Sequence, residues 1–166
     1  MRVLGIDPGS LTTGYGLLEE TENCLSVVTQ GVIKVKTGRS LSVKLNKIRL
    51  DIEEILRQYT PEEVAIENPF YARNIKTAIT LGQVRGAILV AVASHGCSLF
   101  EYSPREIKKA VTGYGQAEKS QVMAMVKALL HLQEIDLEPD AADALAAAFC
   151  HLSHRRSKLN LEKSRL

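Results

Sequence analysis

The stretch Val3-Leu4-Gly5-Ile6-Asp7-Pro8-Gly9-Ser10 constrains the fold more than any other part of the sequence. Its apolar run reads as a short buried strand that ends abruptly on a carboxylate. Pro8 and Gly9 force a turn there, so the chain does not carry Asp7 deeper into a sheet. A charge at the end of a buried strand costs desolvation unless something pairs with it. A metal ion or a helix N-terminus would serve. The same grammar returns at Val64-Ala65-Ile66-Glu67, before Asn68-Pro69.

The remaining periodicities surround these two strands with an α/β framework. Thr13 to Leu18 reads as a second strand with glycines that admit close approach, and Leu25 to Val35 as a third. Their short connections predict an antiparallel meander. Leu41, Leu45, Ile48, Ile52, Ile55 and Tyr59 step by four and three, predicting an amphipathic helix between the N-cap candidate Ser40 and the stop at Pro61. Asn74 to Ser94 predicts a long helix closed by Gly96, and its segment Gly82 to Gly86 would let another backbone pack closely, within the monomer or across a dimer. Cys97 to Tyr102 is a fifth strand, and Ser103-Pro104 opens a short helix carrying Lys108 and Lys109. A further helix is lined by Val122, Met125, Val126, Leu129 and Leu130. The last helix starts at Pro139-Asp140 and is rich in Ala, so it would lie close to the sheet. From His154 onward the chain is basic and short of large apolar residues. The expectation is one domain over 1–155 and a basic, flexible tail over 156–166.

Composition narrows the class. With 45% hydrophobic and 24% charged residues the chain reads as an ordinary globular protein, and no apolar run reaches about 18 residues. The N-terminus lacks a signal-peptide pattern, so the cytoplasm is the expected location and no membrane partner is expected. Cys24, Cys97 and Cys150 show no C-x-x-C pairing, which argues against a disulfide framework or a structural zinc site. His151 and His154 sit beside Arg155 and Arg156, which would repel a cation.

Asp7 and Glu67 end strands, while Asp140 and Asp143 share one face of a helix start. Four converging carboxylates repel unless cations neutralise them, and all-oxygen ligands select hard ions such as Mg²⁺ or Mn²⁺. Two such ions would activate a water and stabilise the leaving oxygen of a phosphodiester. Without these four acids, 15 acids face 21 bases, a balance suited to a polyanion. Each acid also has an ordinary explanation. Asp7 sits in a turn signal, Glu67 reads as a strand-end surface charge, and Asp140 with Asp143 reads as a helix cap and its acidic partner. Lys119 stands at a helix start, where the dipole disfavours a cation; a phosphate contact and a solvated lysine fit equally, and Lys108, beside Lys109 on the short helix, has the same two readings. Phe70 and Tyr71 follow Glu67 in a loop, either stacking on exposed bases or buried beneath it.

Several segments together resemble the RuvC family of Holliday junction resolvases: Gly5 to Ser10 with Thr13 to Gly16, Ala65 to Glu67, Ala72-Arg73-Asn74, Leu81 to Gly86, Phe100 to Tyr102, Ala117 to Gln121, and Asp140 to Leu145. They run nearly end to end and in order. The resemblance implies an RNase H-like fold: a mixed five-stranded sheet, made of a three-stranded antiparallel meander plus two added parallel strands, flanked by helices. It implies a homodimeric endonuclease that acts on four-way DNA junctions in recombination and repair. Paired symmetric nicks would leave 5′-phosphate and 3′-hydroxyl ends. Asp7, Glu67, Asp140 and Asp143 match the family's catalytic, Mg²⁺-binding acids, with two ions per site and Mn²⁺ as a substitute. Phe70, Tyr71, Arg73, Lys108 and Lys119 fall with the DNA-binding residues, and a RuvA–RuvB branch-migration complex is the implied partner. One departure stands out: where the family usually carries Gln-Val-Phe-Phe after the glutamate, this chain has Asn68-Pro69-Phe70-Tyr71.

Overall fold

The computed structural model describes residues 1–22, 24–68 and 74–163, with side chains to residue 158. Phe70, Tyr71 and Arg73, with Pro69, lie outside the described residues. The element order is β1 (Arg2–Asp7), β2 (Thr12–Glu20), β3 (Leu25–Lys34), α1 (Leu41–Tyr59), β4 (Glu63–Glu67), α2 (Ile75–Ser94), β5 (Ser98–Tyr102), α3 (Pro104–Thr112), α4 (Lys119–Leu129) and α5 (Pro139–Lys163). The strands form one sheet in the order β3-β2-β1-β4-β5. The first three make the expected antiparallel meander, and β4 and β5 add in parallel. This is the RNase H-like α/β arrangement.

Strand alternation sorts the core into two layers. Leu4 and Ile6 of β1 join Val64 and Ile66 of β4 under Ile48, Ile52 and Leu56 of α1 and Val84, Ile88 and Val92 of α2. Val3 and Ala65 point the other way, towards α3, α4 and α5. The same parity carries Asp7, four residues from Val3, and Glu67, two from Ala65, to the α5 side. In the parallel pairing Ile6 stands opposite Ile66, so the two acids lie one residue further along adjacent strands, level with each other.

What lets α5 reach them is the absence of side chains beneath it. A Cβ on Gly5 would sit 1.9 Å from the Ala144 carbonyl oxygen, and one on Gly14 would sit 1.8 Å from that of Asp140. The buried alanines 141, 142, 144 and 146–148 complete the close contact. Midway along α5, His151 is 4% exposed and bridges two strands. Tyr102 Oη lies 2.8 Å from its Nδ1, Glu63 meets its Nε2, and Phe100 packs on the ring with centroids 4.4 Å apart. Arg155 Nη1 donates to Glu63 at 2.9 Å, and Arg156 pairs with Glu20.

These bonds bear on the expected tail. Helical backbone continues past His154 to Lys163, so the boundary expected at residue 155 falls inside α5. Two arginines that look like part of a solvated basic run are instead tied to acids at the starts and ends of strands 92 and 136 residues away in sequence. α2 is long and apolar enough to cross a membrane. It packs here by one face against α1 and β5, with Arg85 paired to Glu101 of β5.

Candidate active site at the strand ends

Asp7, Glu67, Asp143, Lys108 and Lys119 line one cleft of about 250 Å³, whose apolar wall is Pro104, Ile107 and Val122. Five elements converge there. β1 and β4 end on the two acids, α5 enters with Asp143 in its second turn, α3 contributes Lys108, and α4 begins at Lys119. Asp140 lies one turn before Asp143 and is half-buried at the rim, outside the cleft lining. The helix starts at Pro139, with the Ala142 amide donating to the Glu138 carbonyl. Asp140 is therefore inside the first turn, and the reading of Asp140 as the capping residue gives way to one in which Glu138 precedes the helix.

Burial and like charge dominate the electrostatics. Burial, then Glu67, Asp143 and Asp140, push the Asp7 carboxyl up to about 8, with Lys119 alone opposing. Burial and then Asp143 raise Glu67, against Lys119 and Lys108. Burial and then Asp143 raise Asp140, again against Lys119. Lys119 is the local counter-charge: its Nζ donates to Asp143 Oδ2 at 2.9 Å, and that bond followed by the Asp143 charge raises its pKa. The lysine side chain is 81% exposed, so this ion pair holds it weakly.

Among the described residues no three acid, His or Cys groups are drawn together in coordinating geometry. The chemistry of the donor set nevertheless fits a hard divalent cation. The cleft offers carboxylate oxygens with no thiol or imidazole, and its acids outweigh the cations that face them.

Asn68, the first residue after β4, is held by contacts that the sequence did not signal. The Asn68 amide donates to the Tyr102 carbonyl at 2.9 Å, and Asn68 Nδ2 donates to Glu101 at 3.0 Å. Glu101 in turn pairs with Arg85 of α2. Asn68 directly follows Glu67, so this relay fixes the backbone that presents the acid. Glu101 sits in an ordinary strand and Arg85 in an apolar helix, and neither position has a local pattern that marks it.

Residues 3–151 match the family model described as crossover junction endodeoxyribonuclease RuvC. A crossover junction endodeoxyribonuclease RuvC of Caldanaerobacter subterraneus subsp. tengcongensis is 48% identical over 151 residues, covering 91% of this chain and 92% of that protein. Its counterpart in Syntrophomonas wolfei is 45% identical over 164 residues, covering 99% and 95%. Among solved structures, T. thermophilus RuvC in complex with Holliday junction substrate superposes with a TM-score of 0.89 at 32% identity, covering 95% of this chain and 96% of that one.

Proposed function

Because this chain belongs to the crossover junction endodeoxyribonuclease RuvC family, we propose that it resolves four-way DNA junctions by paired, symmetric nicks that leave 5′-phosphate and 3′-hydroxyl ends. The observation that carries this reading is the single cleft where Asp7, Glu67, Asp143, Lys108 and Lys119 meet. Residues 1–155 are assigned to the nuclease unit, with 156–166 as a basic extension whose first residues continue α5. Family membership implies divalent metal use; the finer assignment is two Mg²⁺ ions, with Mn²⁺ as substitute, held by Asp7, Glu67, Asp140 and Asp143. Bound there, the ions would lower the pKa of a water and offset charge at the departing oxygen.

The protein's own residues do the rest. Asp7 and Glu67, level on adjacent parallel strands, fix two ligand positions on the rigid centre of the sheet. Asp140 and Asp143 complete the set from α5, which the glycines of β1 and β2 hold at close range. Lys119 is anchored only by an exposed ion pair, so it is free to exchange Asp143 for a phosphate oxygen. Lys108 faces the cleft from α3 and meets the backbone on that side. Phe70, Tyr71 and Arg73, in the segment after Glu67, engage the bases and backbone of the opened junction. Lys119→Met is expected to slow cleavage about 100-fold, since a charge acting on the reacting phosphate is lost. Its thermal midpoint should stay within about 2 °C of the parent, as an exposed pair contributes little. Single-turnover kinetics and thermal unfolding check both.

Paired nicks need two sites, and α2 supplies a face for a second copy. Ile75, Ile79, Gly82, Gly86 and Val90 fall on one stripe of the helix, opposite the buried Val84, Ile88, Ala91 and Val92. Ile75 is 80% and Val90 58% exposed, and a Cβ on either glycine would meet nothing within 4 Å among the described residues. A glycine in a helix costs about 1 kcal/mol relative to Ala. No contact among the described residues accounts for two of them, whereas a closely packed partner helix would. Ile79→Asp is expected to convert a dimer to a monomer by light scattering, with the fold intact and paired nicking lost. A variant that stays dimeric would place the interface elsewhere.

The deciding experiment incubates the protein with a mobile four-way junction and Mg²⁺ and maps the cuts. Nicks at symmetric positions on opposing strands are expected. One-sided cleavage, or preference for structured RNA of equal length, would favour another RNase H-like activity. The setting is the bacterial cytoplasm, where the RuvA–RuvB complex would present the junction.

A further inference from the structure

Away from the carboxylates, residues 34–49 hold six bases, Lys34, Lys36, Arg39, Lys44, Lys47 and Arg49, and no acid. The fold gathers five of them. Lys34, Lys36, Arg39, Lys44 and Lys47, with Val35 and Val43, line a cleft of about 310 Å³ between the end of β3 and the first turns of α1. Lys34 pairs with Glu138, Lys47 with Asp51 and Arg49 with Glu53. Among the described residues Lys36, Arg39 and Lys44 have no ion-pair partner.

Such a cluster does not serve the monomer's stability. Its unpaired cations repel one another across a concavity, and Lys44 lies in the first turn of α1, where the helix dipole disfavours it. That turn carries no acid, and Ser40 makes no side-chain capping bond. The arrangement suits an anion that follows the groove, not one that sits on a single residue.

Its position says which anion. Antiparallel pairing sets Asp7 opposite Gly14 and Thr12 opposite Lys34, so the basic cleft and the acids occupy the same end of the sheet. Val35 donates its amide to the Leu11 carbonyl at 3.0 Å, which fixes the cleft to the turn before β2. Strands lie about 4.8 Å apart, so β3, two strands along, is about 10 Å from β1 across the sheet. The carboxylates thus have Lys108 and Lys119 in their own cleft and a second cationic cluster at the same end of the sheet.

We infer that the β3–α1 cleft holds backbone phosphates of a junction arm, apart from the scissile phosphate. The inference rests on the reading of the chain as a junction nuclease. It assigns the cleft to binding and to register on the DNA, with no part in bond breaking.

The test is the triple variant Lys36→Ala/Arg39→Ala/Lys44→Ala, titrated against a four-way junction between about 50 and 200 mM salt. Each lost phosphate contact removes about 0.9 from the slope of log affinity against log salt. The slope is therefore expected to fall by about 2 to 3, with affinity at low salt weakened at least tenfold. The single-turnover nicking rate on saturated junction and the thermal midpoint should match the parent. Lys36→Arg/Lys44→Arg should keep the parent slope, as should Arg57→Ala/Lys158→Ala, which removes charge at the opposite end of the sheet. An unchanged slope in the triple variant, or an equal loss in the Arg57/Lys158 control, would overturn the assignment while nicking by the parent left the nuclease reading intact. Failure of the parent itself to bind and nick the junction would overturn both.

Discussion

Asp7→Asn is expected to abolish strand cleavage, by at least about 1,000-fold, to leave junction affinity within about threefold, and to raise the thermal midpoint. The three outcomes follow from one fact. The Asp7 carboxyl is buried beside Glu67, Asp143 and Asp140, which moves its pKa from 3.8 to about 8. An acid whose pKa is raised on folding takes up a proton as the chain folds. Its destabilising effect is absent below about pH 4, grows as pH rises, and is complete above about pH 8. The difference corresponds to a ceiling of roughly 6 kcal/mol, of which solvent access at the half-buried cleft leaves a fraction. Asparagine keeps the shape and carries no charge. The variant should therefore melt at least about 5 °C above the parent at pH 8 in chelator, and the gap should close towards pH 4.5. Added Mg²⁺ should raise the parent's midpoint and leave the variant's nearly unmoved. Calorimetry at two pH values, with and without Mg²⁺, reads stability separately from activity. Normal nicking by Asp7→Asn would remove the assigned site, and a variant less stable than its parent at pH 8 would remove the electrostatic account.

Gly14→Ala carries the second large effect, through packing in place of charge. The added methyl would lie 1.8 Å from the Asp140 carbonyl oxygen and 2.3 Å from its carbon, both backbone atoms. Ordinary contact is near 3.5 Å, so β2 and the start of α5 must separate by more than 1 Å. That movement carries Asp140 away from the cleft where Asp7 and Glu67 end. A displacement of about 1 Å costs on the order of 100-fold in rate, and forcing a close-packed contact apart costs about 2–4 kcal/mol of stability. The expected result is loss of most cleavage with a midpoint lowered by roughly 5–10 °C, measured by junction nicking and thermal unfolding. At a temperature where the variant is fully folded, junction binding should persist. Wild-type stability and rate together would mean that α5 does not lie on β2 as described.

Much of the site is legible in local sequence. Asp7-Pro8-Gly9 and Glu67-Asn68-Pro69 announce strand ends because a turn-forming pair follows an apolar run directly. The steps from Leu41 to Tyr59 announce α1 because burial repeats with the helical period. The alanines after Asp143 mark a helix that must lie close to something, though not what it lies on. Resemblance across the chain supplied the pairing of these pieces, which periodicity alone does not.

Other features depend on residues distant in sequence and left no local trace. The Glu63–His151–Tyr102 hub joins positions 49 and 88 residues apart, and in the sequence His151 is marked only by its neighbours Arg155 and Arg156. Arg155 and Arg156 look like the start of a solvated tail until Glu63 and Glu20 are placed against them. Lys36, Arg39 and Lys44 are ordinary surface bases until the end of β3 and the start of α1 fold into one wall. By itself the sequence determined the types and order of the elements, because turns, caps and burial period act within a few residues. Only the tertiary structure decided that Asp7 and Glu67 share one face, level on neighbouring strands. That outcome depends on parallel register between segments about 60 residues apart, and on an α5 approach that glycines permit but do not dictate.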